Sequence, residues 1–371
     1  MRQTLPQIGC GYSYIVTVCE IHGRRPTLCF WRFLKLIKMD NPNDFLDAIG
    51  NTPLIRLKLA SELTGCEIYG KCEFMNPGGS VKDRAAKFML LDAIAEGKIE
   101  AGGTVVEGTA GNTGIGLTLA ANALGIKTII VMPETQSEEK KSALRGMGAD
   151  LRTFPAVPYR NPDNYVHQAR RLAESLESEH GVFYANQWDN VSNRRGHMRS
   201  TAPEIWNQLD GRIDAFTCAV GTGGTLAGLS LWLKERRSDI VIAAADPDGA
   251  GIYNWVKHGE IKSSGSSITE GIGQNRVTGN LEGALIDEAF NIPDSELLPV
   301  LWDLIGKEGL YLGASSGINV AGAIRLGQQM GPGHTIVTVL CDSASRYESR
   351  LFNPEFLSER NLPLPPWLSS E

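Results

Sequence analysis

The sequence predicts an α/β fold of the doubly wound type. From Thr104 onward, short β-branched runs alternate with longer helical patterns, an order that builds a mostly parallel sheet with helices packed on it. The strand candidates are also continuously apolar, which suits strands covered on both faces. Glycine-rich turns follow several of them, and in such sheets ligands sit beyond the carboxyl ends of the strands.

The strand candidates are Thr104–Glu107, Thr128–Met132, Leu151–Phe154, Ala215–Val220, Ile240–Ala245 and Thr335–Leu340. Between them the periodicity predicts helices over Thr113–Leu124, Ser137–Gly148, Asp163–His180, Thr225–Arg236, Ser295–Glu308 and Ile318–Gly331. Each opens near Ser, Thr, Asp or Asn, or ends near Gly, as helix caps require. A chain of 371 residues has room for two α/β domains. We place them at 39–190 and 191–371, with a strand from about 50–75 joining the second. The Pro-rich tail Leu362–Trp367 is expected along the surface. No internal repeat or low-complexity segment is visible.

Residues 1–38 differ in composition. Arg2, Arg24, Arg25, Arg32, Lys35 and Lys38 stand against a single acid, Glu20. A targeting segment is one reading, since such segments are Arg-rich and acid-poor. Pro and Gly interrupt the stretch, however, and no amphipathic helix of useful length emerges. We take the plainer reading, that translation begins at Met39.

The net charge of −6 gives the chain as a whole no affinity for nucleic acid or anionic membranes. No apolar run approaches the roughly 18 residues that suggest a membrane span. Cysteines occupy positions 10, 19, 29, 66, 72, 218 and 341, without a Cys-x-x-Cys pair. None of the six histidines pairs with Cys at zinc-like spacing, so no metal is expected. Cys218 and Cys341 read as buried thiols, and a reducing cytoplasm fits this usage. An organelle is the alternative if residues 1–38 are a targeting segment.

Four motifs carry candidate chemistry. In Asn76-Pro77-Gly78-Gly79-Ser80-Val81-Lys82-Asp83-Arg84, Pro and two glycines make a turn, and Ser80 can cap the helix that follows. Lys82 then falls in the first helical turn, where a cation opposes the helix dipole. That favours the uncharged amine, the form a Schiff base needs. Alone, a lysine after a Gly-rich turn is more often a surface residue. A P-loop is excluded because no Gly precedes Lys82.

In Glu107-Gly108-Thr109-Ala110-Gly111-Asn112-Thr113-Gly114-Ile115-Gly116, small residues expose backbone N–H groups at a helix start, which suits a carboxylate. Asn112 adds an amide. A tightly packed, capped turn explains this motif equally well. Gly221-Thr222-Gly223-Gly224-Thr225-Leu226-Ala227-Gly228 follows a strand and makes a cradle for a phosphate. It fails the dinucleotide fingerprint, because the sixth position from Gly221 is Leu226. Gly313-Ala314-Ser315-Ser316-Gly317 alone reads as an N-cap serine.

Together, in this order, the four motifs resemble the cysteine synthase (O-acetylserine sulfhydrylase) and cystathionine β-synthase group. The resemblance runs from about Asp44 to Arg350. Gly50-Asn51-Thr52-Pro53-Leu54, Asn186-Gln187-Trp188 and His197…Pro203-Glu204-Ile205-Trp206 match as well. It implies the tryptophan-synthase-β-like fold of pyridoxal 5′-phosphate (PLP) enzymes, fold type II, with two doubly wound domains and the cofactor between them. By resemblance, Lys82 holds the cofactor as a Schiff base and removes the α-proton. Asn112 is implied to bond the cofactor's 3′ oxygen, Gly221, Thr222, Gly223, Gly224 and Thr225 its phosphate, and Ser315 its pyridine nitrogen. A neutral serine there makes the ring a weaker electron sink than a carboxylate would, which favours β-elimination. Thr109, Gly111, Asn112 and Thr113, with Gln187 nearby, are implied to grip the substrate's α-carboxylate.

The implied reaction is L-cysteine synthesis: O-acetylserine loses acetate, and sulfide adds at the β-carbon. Gly111-Asn112-Thr113-Gly114 points to the sulfhydrylases rather than to dehydratases, which more often show Gly-Asn-His. No sequence follows residue 371 for a regulatory module, and the N-terminal stretch lacks a haem-binding pattern. Both weigh against the transsulfuration enzyme. A homodimer, and a serine acetyltransferase docking its tail in the site, are further implied partners.

Three stretches depart from the family pattern: Ala110 where serine is common, Glu270-Gly271-Ile272-Gly273-Gln274-Asn275-Arg276, and Cys341-Asp342-Ser343-Ala344-Ser345-Arg346-Tyr347. Similar variants occur in a subgroup resembling cysteine desulfhydrases, so that lyase, or another β-replacement enzyme, is the rival reading. A catalytically idle binding protein of the same fold is the non-enzyme alternative. A nicotinamide-dependent dehydrogenase is disfavoured by the missing fingerprint.

Overall fold

Ten strands build two sheets in the computed structural model, which describes residues 44–368. They are β1 (Leu54–Arg56), β2 (Glu67–Cys72), β3 (Thr104–Gly108), β4 (Lys127–Pro133), β5 (Asp150–Phe154), β6 (Val182–Tyr184), β7 (Ala215–Ala219), β8 (Val241–Pro247), β9 (Glu288–Ile292) and β10 (Thr335–Leu340). The larger sheet has the order β1-β2-β10-β7-β8-β9 and the smaller β5-β4-β3-β6. Every pairing is parallel except β1 with β2. The α/β fold class is therefore as expected, with one antiparallel edge strand added. Residues 1–38, on which the targeting and start-site readings fall, lie outside the described residues.

Both faces of each sheet are covered, which explains the unbroken apolar runs. On the larger sheet, Leu297, Leu301, Ile318 and Leu326 pack on one face, while Ile205, Leu226, Leu229 and Ile252 pack on the other. In β3 the neighbours Val105 and Val106 point to opposite sides, as strand alternation dictates. Val105 meets Met89, Leu90 and Leu117, and Val106 meets Ala169 and Ala173.

All six expected strands form. The helices hold with shifted ends. The helix expected over Asp163–His180 spans Tyr165–Ser175, because Leu176 turns to extended backbone and the polar run after it has nothing to bury. The helix expected from Ile318 begins at Ala314 and ends at Met330. Gly317 therefore lies inside the helix, where it is a contact point: a Cβ there would lie 3.0 Å from the carbonyl oxygen of Leu297 on the neighbouring helix. The tail is only partly superficial, since Leu362 and Leu364 pack against the core. Among the described residues, no helix is long and apolar enough to cross a membrane.

The carboxyl ends of β3, β7 and β10 lead directly into Thr109–Thr113, Gly221–Thr225 and Cys341–Asp342. These are the places where such sheets bind ligands.

Candidate active site

Lys82 is the first residue of the helix Lys82–Ala95 and is half-buried. Its turn is fastened on both sides. Gly79 is left-handed at φ +79°, and a Cβ there would lie 2.7 Å from Nη2 of Arg346. The Val81 N–H donates to the Cys341 carbonyl at 3.0 Å, and Ser80 bridges to Asp342. Ser80 serves the helix start as expected, its hydroxyl accepting the Lys82 N–H at 3.2 Å, although Val81 occupies the N-cap position.

Two residues on, Arg84 is buried in a cluster of charges. Its Nε donates to Glu73 and its Nη2 to Glu204, each at 2.7 Å, and Lys71 reaches Glu204 at 2.7 Å. Removing one member of such a buried cluster costs about 3–5 kcal/mol, so the first turn bearing Lys82 is held rigidly. Asp83 is buried too. It accepts the Gly78 N–H at 2.5 Å, and burial pushes its carboxyl up to about 7.

The Gly221–Thr225 loop is a cradle closed from behind. A Cβ at Gly221 would lie 2.5 Å from the Gly271 carbonyl oxygen, and one at Gly223 (φ +85°) would lie 2.8 Å from Leu281. A Cβ at Gly224 would land on the Asn193 amide oxygen. Only glycines therefore let this backbone sit so deep. The helix Gly224–Arg236 starts here, so its first-turn N–H groups, which lack intrahelical partners, are available to an anion. Thr222 Oγ1 accepts from Asn193 Nδ2 at 2.9 Å. Thr225 Oγ1 lies 3.2 Å from His197 Nε2, and His197 Nδ1 lies 2.9 Å from Thr201 Oγ1. Burial, helped by the nearby Arg84 charge, lowers His197 to about 3. The ring is thus neutral, a relay of hydrogen bonds beneath the cradle.

Across the site, Gly111 of the Thr109–Thr113 loop faces open space, since a Cβ there would meet nothing within 4 Å, while Thr109 and Thr113 are buried. Gly111 N–H donates to Thr109 Oγ1 at 3.3 Å. Thr113 Oγ1 donates to Gln187 Oε1 at 2.6 Å, and Gln187 Nε2 donates to Glu107 Oε1 at 3.2 Å. Burial raises the Glu107 carboxyl to about 8. Ala110 packs with Leu144 in a small apolar cluster around Ile130 and Met132, an environment where a hydroxyl would need a partner.

Asn112 joins the two sides. Its Nδ2 donates to Asp342 Oδ2 at 2.6 Å, and its Oδ1 accepts from Arg346 Nη1. Tyr347 donates its hydroxyl to the same Asp342 oxygen at 2.6 Å. The other oxygen, Oδ1, is buried and has no hydrogen-bond partner among the described residues. Burial raises the Asp342 carboxyl against the pull of Tyr347, Asn112, Arg346 and Lys82. Ser315 is buried in the first turn of its helix and bonds the Cys341 thiol. Cys218 is buried, whereas Cys341 is half-buried rather than fully so; burial and the Asp342 charge push its thiol up to about 11.

The structure thus gathers Lys82, Asn112 and the Cys341–Asp342 corner at one place. The Thr109–Thr113 loop with Gln187 adjoins it through Asn112, and Ser315 through the Cys341 thiol. The Gly221–Thr225 cradle opens at the neighbouring strand end, β7. Asp342, Arg346 and Tyr347 had been read only as a departure from pattern, and Asn193 had not been singled out. The position of Asp342, two residues past a strand of glycine-bounded sheet, was the available signal. Among the described residues, no group of three or more His, Cys, Asp or Glu could hold a metal ion.

A deep glycine cradle at a helix start, a lysine in the first turn of another helix and a buried carboxylate oxygen without a partner fit a phosphate-bearing cofactor held by an amine. The comparisons agree with that chemistry. Residues 45–342 match the pyridoxal-phosphate dependent enzyme family, and the chain belongs to it. Its relatives narrow the class. The chain is 52% identical over 320 residues to Cysteine synthase 1 of Neurospora crassa, covering 85% of this chain and 84% of that one. Among solved structures, the O-acetylserine dependent cystathionine beta-synthase from Helicobacter pylori aligns with a TM-score of 0.74 at 32% identity, covering 83% of this chain and 97% of that one. An O-ureido-L-serine synthase aligns at 0.75 and 34%, covering 84% and 95%.

Proposed function

We propose that the chain is a cysteine synthase that makes L-cysteine from O-acetylserine and sulfide by β-elimination followed by β-addition. The observation that carries this is the 52% identity to a cysteine synthase across 85% of the chain. The meeting of Lys82, Asn112 and the Thr109–Thr113 loop around one corner supports it.

Lys82 is the residue that would hold pyridoxal 5′-phosphate as a Schiff base, with the phosphate in the Gly221–Thr225 cradle and Ser315 at the ring nitrogen. When bound, the cofactor supplies an electron sink for the carbon that loses its proton. Lys82 Nζ takes the α-proton as acetate departs. The backbone N–H groups and hydroxyls of Thr109–Thr113 hold the α-carboxylate, and Gln187 orients the Thr113 hydroxyl. Closure of this loop excludes water until sulfide arrives.

The two sheets have separate apolar clusters, which supports reading 39–190 and 191–371 as two domains. In that division β1 and β2 cross over to the second. The family resemblance supports a homodimer and docking by a serine acetyltransferase, and the unpaired cysteines support a reducing cytoplasm.

The test is to supply purified, cofactor-loaded protein with O-acetylserine and then sulfide. Cysteine formation with release of acetate supports the reading. Release of sulfide from cysteine, with no turnover of O-acetylserine, assigns the chain to the desulfhydrases instead.

A further inference from the structure

Glu270, in the loop between the helix Ile252–His258 and β9, holds two cations at once. Its Oε2 meets Lys140 Nζ at 2.7 Å and its Oε1 meets Arg350 Nη1 at 3.0 Å. Lys140 and Glu270 are partly shielded from water, the Glu270 side chain being 29% exposed, whereas Arg350 is exposed.

What distinguishes this triad is what it joins. Lys140 lies on the helix Glu138–Gly146, which packs on the smaller sheet. Among the hydrogen bonds and ion pairs of the described residues, the Lys140–Glu270 pair alone links that helix to the half of the molecule bearing the larger sheet. The other end of the triad touches the cofactor cradle. Gly271, next to Glu270, presses its carbonyl against Gly221, and the Gly273 N–H donates to Val220 at 2.9 Å. Glu270 and Arg350 also line a small cavity with Ser315 and Tyr347.

On the helix itself, Leu144 stands one turn from Lys140. It packs against Ala110 and lies 3.4 Å from where a Cβ of Gly114 would sit. A pull on Lys140 is therefore passed through Leu144 to the Ala110–Gly114 backbone, the loop assigned above to the substrate's carboxylate.

We propose that Glu270 is a positioning residue for reaction specificity. By gathering Lys140 and Arg350 it latches the Glu138–Gly146 helix onto the phosphate-loop side and keeps the substrate loop closed. The latch decides how much of the unsaturated three-carbon unit, left after acetate departs, is captured by sulfide at its β-carbon. The remainder is released, takes up one water and becomes pyruvate and ammonia. This rests on the cysteine synthase reading; the latch itself is testable without it.

The experiment compares cofactor-loaded wild type with Glu270→Gln, Lys140→Met, the double variant and Lys140→Arg. Amide hydrogen exchange over residues 137–147 reads the latch directly. We expect each single loss to speed that exchange about twofold to fivefold, the range that a partly shielded ion pair supports. The double variant should show no further increase, and Lys140→Arg should restore the wild-type rate. With O-acetylserine and limiting sulfide, the pyruvate-to-cysteine ratio should rise by the same factor, and added salt should raise it in wild type but not in the variants. Unchanged exchange in both single variants overturns the latch. Faster exchange with an unchanged product ratio overturns its role in specificity. If no variant, nor wild type, converts O-acetylserine, the functional reading fails while the exchange data still decide the latch.

Discussion

The Nδ2 of Asn112 donates to Oδ2 of Asp342 at 2.6 Å, although 230 positions of sequence separate the two residues. The bond joins the helix that follows β3 of the smaller sheet to the carboxyl end of β10 in the larger one. Lys82 sits beside the same corner, because Val81 donates to the Cys341 carbonyl. Lys82, the Asn112 amide and the Asp342 carboxylate therefore share one frame, and each can be removed separately.

Lys82→Ala should abolish turnover and leave the fold intact. The lysine makes none of the buried ion pairs that hold its helix; those belong to Arg84. Loss of a positioned base costs about 10²–10⁴-fold in rate, and loss of the covalent link adds to it. Steady-state assay and circular dichroism check the two halves. Substantial activity in the variant would contradict the role given to Lys82.

Gly224→Ala tests the cradle. The new methyl group would collide with the Asn193 amide, whose Nδ2 otherwise supports Thr222. Cofactor affinity should fall at least tenfold, read by fluorescence titration of the cofactor-free protein. Gly111→Ala has open space for its methyl group and should leave that affinity unchanged.

Glu107 makes stability fall as pH rises. Its carboxyl lies at about 8 when folded, against an ordinary 4.5. Between these values the folded state keeps a proton that the unfolded state has lost, so stability drops from about pH 4.5 to about pH 8 and is level above. Gln matches the protonated acid in shape. Glu107→Gln should therefore gain on wild type as pH rises through that window, by on the order of 5 kcal/mol. Urea unfolding at pH 5, 6.5 and 8 measures the gap, and a constant gap would refute the assignment.

His197 has the opposite sign. Its ring lies at about 3 when folded, against 6.5 ordinarily, so it contributes stability above pH 6.5 that is lost as pH falls toward 3. His197→Gln should be less stable at pH 7 by about 1–3 kcal/mol, because the Thr201 and Thr225 hydroxyls lose a buried partner. It should also lose less on acidification. Unfolding curves at pH 7, 5 and 4 report both effects.

The sequence exposed the strands that are apolar and the loops that are glycine-rich, because burial on both faces and deep backbone both leave compositional marks. It did not expose β6, which has three residues, or β9. It marked β1 and β2 only as one strand from about 50–75, because β1 has three residues and Gly70 and the buried Lys71 break the apolar run of β2. Lys71 is inside because Glu204, the Thr52 carbonyl and the Gln208 amide oxygen meet its ammonium there. The helix Ser192–Arg199 was hidden for a related reason. It is polar almost throughout, yet Asn193 and His197 are buried by bonding to Thr222 and Thr225. Partnerships formed across hundreds of positions, such as Asn112 with Asp342, leave no local pattern.

Strand β10 lies between β2 and β7, yet it is the last strand to leave the ribosome. Until Thr335–Leu340 emerges, β2 and β7 each carry an open edge, a template for pairing with another chain. The smaller sheet has all four of its strands by Tyr184 and can close during synthesis. The larger one must wait for almost the whole polypeptide, so a nascent chain halted shortly before Thr335 should be held by chaperones or aggregate, while one halted after Leu340 already has its central strand.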